Sequence, residues 1–128
     1  MVIVGLVLAA VAAVVHMFIF YLESIGWTGG LARKTFGMSR EQAEAQRELA
    51  FNQGFYNLFL ALAVFVGIIV YAAGQHAVGA TLVFTGAGSM VAASSVLVLS
   101  NPGRAAAAAK QGVIPALGVI ALAFGLIV

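Results

Sequence analysis

Charge is confined to short segments of this chain, and that confinement limits its fold more than any other feature. All six Lys and Arg and all four Asp and Glu fall within residues 23–48 and 104–110. The intervening runs Met1–Leu22, Ala50–Ala73, Val78–Ser100 and Gly112–Val128 are apolar. A helix needs about 20 apolar residues to cross a bilayer core, and the last run, although short, could span with little tilt. The chain is 63% hydrophobic and 8% charged, with a mean hydropathy of +1.11. Soluble domains average roughly 25% charged residues, so too few remain here to cover a water-facing surface. The sequence therefore predicts an all-α, polytopic membrane protein: one domain over residues 1–128, with four transmembrane helices in an antiparallel bundle.

Several other classes fall away. The chain has no Cys, which excludes a disulfide framework, a thiolate nucleophile and a Cys metal site. His16 and His76 do not have metal-ligand spacing, so no metal is expected. The net charge of +2 is no nucleic-acid signal, because the basic residues sit beside the spans. The N-terminal run lacks a positive n-region and exceeds an h-region of about 7–15 residues, and it is read as a retained first span. Arg33, Lys34, Arg40 and Arg47 lie between spans one and two, and Arg104 and Lys110 between spans three and four. By the positive-inside rule these two loops face the cytoplasm and both termini lie outside, in the cell inner membrane.

Local signals punctuate the spans. Gly74–Ala77 reads as a tight hairpin with His76 a solvated loop residue, and Pro102 ends the third span. Gly26, Gly29, Gly30 and Gly37 predict an irregular stretch over Glu23–Met38. Ser39-Arg-Glu-Gln42 fits a capping box, which predicts a second helix running unbroken from about Arg40, through cytoplasm, into the membrane. The third span is rich in small residues that let helix backbones approach closely.

Against this apolar background, Asn52, Gln53, Tyr56 and Asn57 crowd into the start of the second span. Unsatisfied polar groups in hydrocarbon cost several kcal/mol each, so partner helices, water or a ligand must satisfy them. Glu48, Asn52 and Tyr56 recur every four residues behind Glu44, while Gln53 and Asn57 form a second such pair around Gly54. On the first helix, His16, Phe20, Glu23 and Trp27 share one face if the helix continues that far. His16 and Glu23 are the candidate acid/base groups. Trp27, Glu48, Asn52, Gln53, Tyr56, Asn57 and Gln111 are the candidate ligand-binding groups. Each has a plainer alternative. Trp27 and Tyr56 could anchor the interface, the amides could only join helices, and Glu23 could reach interfacial water. Ionisable residues inside spans are nevertheless often functional.

His16, Tyr21-Leu22-Glu23, Trp27, Arg33–Gly37, Asn52–Asn57 and Gln111–Ala116 together resemble the small bacterial membrane proteins grouped as domain of unknown function 1304. That resemblance implies an architecture and no activity; Phe51 stands where a His is expected. A weaker resemblance is to the membrane-associated proteins of eicosanoid and glutathione metabolism, whose second-helix pattern Glu44, Asn52 and Tyr56 match. Glu48 and Phe55 depart from it at two positions that bind glutathione's charged groups in that family. It implies a bundle and a trimer more than glutathione chemistry.

Three functions follow as expectations. The first is binding of a lipid or amphiphilic small molecule near the cytoplasmic face, between helices one and two. The second is a glutathione-transferase-like membrane enzyme, and the third a small oligomeric transporter or accessory subunit. A homo-oligomer, dimer or trimer, is expected in each. Neither a cofactor nor a reaction can be assigned from these residues.

Overall fold

The apolar runs do form membrane-length helices. The computed structural model describes residues 1–128. Its elements are α1 (Val2–Phe20), continued by a π-helical turn (Tyr21–Ile25), then α2 (Gly30–Phe36), α3 (Arg40–Ala45), α4 (Arg47–Ala72), α5 (His76–Ser100) and α6 (Ala105–Ile127). A 3-10 turn at Pro102–Arg104 leads into α6. No strand is present. Four helical segments, Val2–Ile25, Arg47–Ala72, His76–Ser100 and Pro102–Ile127, are long and apolar enough to cross a membrane. The third ends at Ser100, ahead of Pro102 as expected, and residues 105–109 are helical and continuous with the fourth.

The chain divides into two compact units. The first contains Met1–Val15 and Leu60–Val128, hence parts of α1 and α4 with all of α5 and α6. Its core is built from Ala9, Ala12, Ala13, Ala61, Val64, Val83, Ala87, Met90 and Leu122. So many alanines allow close backbone approach, which is how helices associate where lipid removes the hydrophobic drive. Glycines bring the backbones closer still. A Cβ on Gly67 would lie 2.8 Å from the Val83 nitrogen, and one on Gly86 would lie 2.9 Å from the Leu60 carbonyl oxygen. Gly79 abuts the Tyr71 backbone in the same way, so α4 and α5 run antiparallel. Gly5 against Leu122, Gly118 against Ala9 and Gly125 against Val2 set a second antiparallel seam, between α1 and α6. The hairpin between α4 and α5 turns through Gly74, whose φ of 92° suits glycine. His76 is helical rather than a loop residue. It opens α5 with its ring 4.6 Å from that of Tyr71.

The second unit is His16–Phe59. Here three expectations need correction. The stretch Glu23–Met38 is irregular only over residues 26–29 and 37–38: it also holds the end of the π turn and α2. Gly29 enters α2 in extended conformation, and Gly37 ends it at φ 66° in the left-handed region. The first helix does not carry Trp27, because the Gly26 N–H bonds to the Tyr21 carbonyl at 2.8 Å and the chain then leaves the helix. The second helix does not run unbroken from Arg40. The Ser39–Gln42 capping box forms in both directions, but α3 stops at Ala45 and α4 starts at Arg47.

The break at Gln46 has a visible cause. The indole Nε1 of Trp27 donates to the Ala43 carbonyl at 2.8 Å, and that carbonyl also accepts from the Gln46 N–H. An acceptor engaged from the side leaves the regular helical ladder there, one of the recognised origins of helix kinks. Trp27, Ala43 and Ala50 form the small buried core of this unit, with Phe36 and Met38 packed on it. Trp27 thus holds α3 in place.

Candidate functional site

The site begins with the π turn. A π turn widens a helix by one residue, and such turns recur at functional positions. This one carries Glu23 and Ser24, and α4 crosses it at Gly54. A Cβ on Gly54 would sit on the Ser24 hydroxyl and 3.0 Å from the Ser24 backbone nitrogen. The missing side chain therefore lets two backbones meet. Ser24 Oγ uses that proximity to donate to the Phe51 carbonyl at 2.7 Å. One turn further along α4, Asn57 Nδ2 donates to Glu23 Oε2 at 2.7 Å and to the Gln53 carbonyl at 3.3 Å. The ring of Phe20 meets that of Phe55 edge-on at 5.1 Å, between Phe51 and Phe59. Polar contacts lie on one side of Gly54 and an aromatic ladder covers another.

Beside this crossing lies an open groove of about 420 Å³, lined by Glu23, Trp27, Gln46, Leu49, Ala50, Asn52, Gln53 and Tyr56. Small-molecule sites commonly span about 300–1,000 Å³, so one head group with its first carbons fits. Gln46, Leu49, Ala50 and Gln53 are spaced as one face of a helix, and Asn52 and Tyr56 stand at its edges. The wall is mostly apolar, with a few converging polar groups.

The candidates from sequence fare unequally. Glu23, Trp27, Asn52, Gln53 and Tyr56 line the groove. Asn57 does not line it but holds the Glu23 carboxylate from behind. The Glu48 side chain is exposed and off the groove, while its carbonyl accepts from Asn52 Nδ2 at 3.0 Å. His16 is 2% exposed within α1 and is not a lining residue. Gln111 is half-buried on α6 in the first unit. Gln46, Leu49, Ala50 and Ser24 were missed. The spacing of Gln46, Leu49 and Gln53 was readable as a helical face, and only the apolar character of Leu49 and Ala50 hid it. No three His, Cys, Asp or Glu side chains gather anywhere in the structure.

Helix lengths, apolar faces and small-residue packing define an integral membrane protein of the all-α class with four spans. Residues 10–123 match the family described as "Protein of unknown function (DUF1304)", and the chain belongs to it. No curated protein and no solved structure matches it.

Proposed function

We propose that the protein binds an amphiphile in the groove beside the α1–α4 crossing, its head group on the polar lining and its tail in lipid. One observation carries this reading. Glu23, Asn52, Gln53 and Tyr56, with Trp27 and Leu49, line a single cavity at the end of two membrane-length helices. A purely structural polar cluster would be spent on helix-to-helix bonds. Here only the Glu23–Asn57 and Ser24–Phe51 bonds serve that purpose, and the side chains of Gln53 and Tyr56 remain at the groove. The glutathione-transferase-like alternative has less support, since Phe55 is packed among Phe20, Phe51 and Phe59.

The test is retention. Protein purified in a mild detergent is expected to carry an amphiphile detectable by mass spectrometry, near one per chain. Gln53→Trp, which fills the groove from an exposed position, should reduce it about tenfold, the scale of one lost head-group anchor. A wild-type preparation with nothing bound, or equal retention in both proteins, would sink the proposal.

The groove belongs to the cytoplasmic side on the charge pattern of Arg33, Lys34, Arg40, Arg47, Arg104 and Lys110. In intact cells, Cys placed at His76 should react with an impermeant maleimide and Cys placed at Lys110 should not. Labelling of both or only of the second would reverse the orientation. Self-association of the exposed apolar faces fits the same picture and is read by cross-linking in native membranes, where a lone protomer at every cross-linker dose would exclude it.

A further inference from the structure

The groove's chemistry names the charge of its occupant. Of its eight lining residues, Glu23 alone carries an ionisable carboxyl group, and no Lys, Arg or His is among them. Its carboxylate is held through Oε2 by Asn57, which leaves Oε1 for a ligand. Three of the neighbouring donors are already engaged. The Trp27 indole bonds to the Ala43 carbonyl, the Ser24 hydroxyl to the Phe51 carbonyl, and one N–H of Asn52 to the Glu48 carbonyl. Glu23 Oε1 and the side-chain oxygens of Gln46, Asn52 and Gln53 remain as acceptors at the groove. Trp27 and Tyr56 add two aromatic rings, whose faces attract cations.

We infer that the groove takes an ammonium head group, a primary or quaternary amine on an alkyl chain, with Glu23 as its counter-ion. An anionic head, phosphate or carboxylate, would meet Glu23 with no cation opposite it. A neutral sugar would leave the Glu23 carboxylate without a counter-charge. Leu49, 75% exposed, offers the apolar ledge along which the first carbons leave for the bilayer. The inference rests on the amphiphile-binding reading above and specifies the chemical class it accepts.

The chain supplies its own reporter, because Trp27 is its one tryptophan and lines the groove. Full-length protein in nanodiscs of zwitterionic lipid is titrated with dodecylamine, dodecyltrimethylammonium, dodecyl phosphate and dodecyl maltoside while Trp27 emission is followed. Saturable shifts are expected with the two amines and none with the phosphate. Glu23→Gln, which preserves an acceptor for Asn57, should weaken amine binding about tenfold or more, the scale of one charge-assisted hydrogen bond. Gln53→Glu adds a second carboxylate from an exposed position and should tighten amine binding severalfold, a gain that misfolding cannot produce.

A saturable response to dodecyl phosphate equal to that of the amines would overturn the ammonium assignment while leaving the groove a binding site. Unchanged amine affinity in both variants would do the same. Silence toward all four amphiphiles would remove the binding-site reading itself.

Discussion

Replacing Gly5 by valine is expected to unfold much of the protein under conditions in which the wild type is intact. The position faces α6 with no room at all: a Cβ there would overlap the backbone nitrogen and Cα of Leu122 and come within 2.7 Å of its Cβ. A clash with a side-chain tip is relieved by a rotamer change, but backbone atoms have no such freedom. The two helices must separate, and the separation runs along a whole seam. Gly118 sits 3.0 Å, measured from its would-be Cβ, from the Ala9 nitrogen, and Gly125 comes within 2.9 Å of the Met1 carbonyl carbon. Overpacked cores lose about 1–3 kcal/mol, sometimes more, and a rigid backbone contact belongs at the upper end. In a membrane the loss is not offset by hydrophobic collapse, because lipid tails are as apolar as the side chains. Gly88 provides the control. Nothing lies within 4 Å of its would-be Cβ, and Gly→Ala in a helix interior gains up to about 1 kcal/mol of propensity. Unfolding by SDS titration, followed by circular dichroism, should therefore place Gly5→Val well below wild type and Gly88→Ala level with it or above. Coincident transitions for Gly5→Val and wild type would mean that the α1–α6 seam contributes little.

The same seams show why so much of this fold could be read from residues alone. Four apolar runs, a Pro after the third and a Gly in the hairpin determine helix number, order and approximate ends through requirements that hold for any sequence in a bilayer. Small residues in α5 signalled close packing, and Gly79 and Gly86 meet α4. What could not be read depended on particular tertiary contacts. The end of α3 follows from an indole reaching the Ala43 carbonyl from 16 residues away, and no local propensity at Gln46 encodes it. The π turn likewise closes with the Gly26 N–H on the Tyr21 carbonyl, and beyond it Trp27 lies off the helical face on which spacing had placed it.

The site was legible in part for a related reason. Asn52, Gln53, Tyr56 and Asn57 are conspicuous because they are polar in an apolar setting, and the first three line the groove while Asn57 bonds to Glu23. Leu49 and Ala50 are part of the same wall but give no contrast, since apolar residues are ordinary there. His16 lies elsewhere. An imidazole deep in a span draws attention as a functional group, but structurally it is a buried residue of α1 outside the groove. Polarity locates a site better than it assigns the members of it.

Gly54 is where fold and site coincide, and Gly54→Val is expected to abolish amphiphile binding. Its would-be Cβ meets the Ser24 hydroxyl, lies 3.0 Å from the Ser24 nitrogen and lies 3.1 Å from the Glu23 Cβ. The hydroxyl can rotate away, at the expense of its bond to the Phe51 carbonyl. The nitrogen and Glu23 Cβ cannot, so the π turn must retreat from α4. Even a retreat of a few tenths of an ångström loosens the 2.7 Å bond from Asn57 to Glu23, since both partners sit on the two surfaces being parted. Valine adds two γ-methyl groups and enforces a larger shift, for which overpacking costs of about 1–3 kcal/mol are typical. Alanine separates the two consequences. Its helix propensity returns up to about 1 kcal/mol, which offsets most of a small clash, while the Glu23–Asn57 geometry is still disturbed. Gly54→Ala should therefore melt near wild type yet bind dodecylamine several times more weakly. Gly54→Val should lose both stability and the Trp27 emission shift. Wild-type affinity in Gly54→Ala, with its melting point unchanged, would show that the carboxylate's placement does not depend on this crossing.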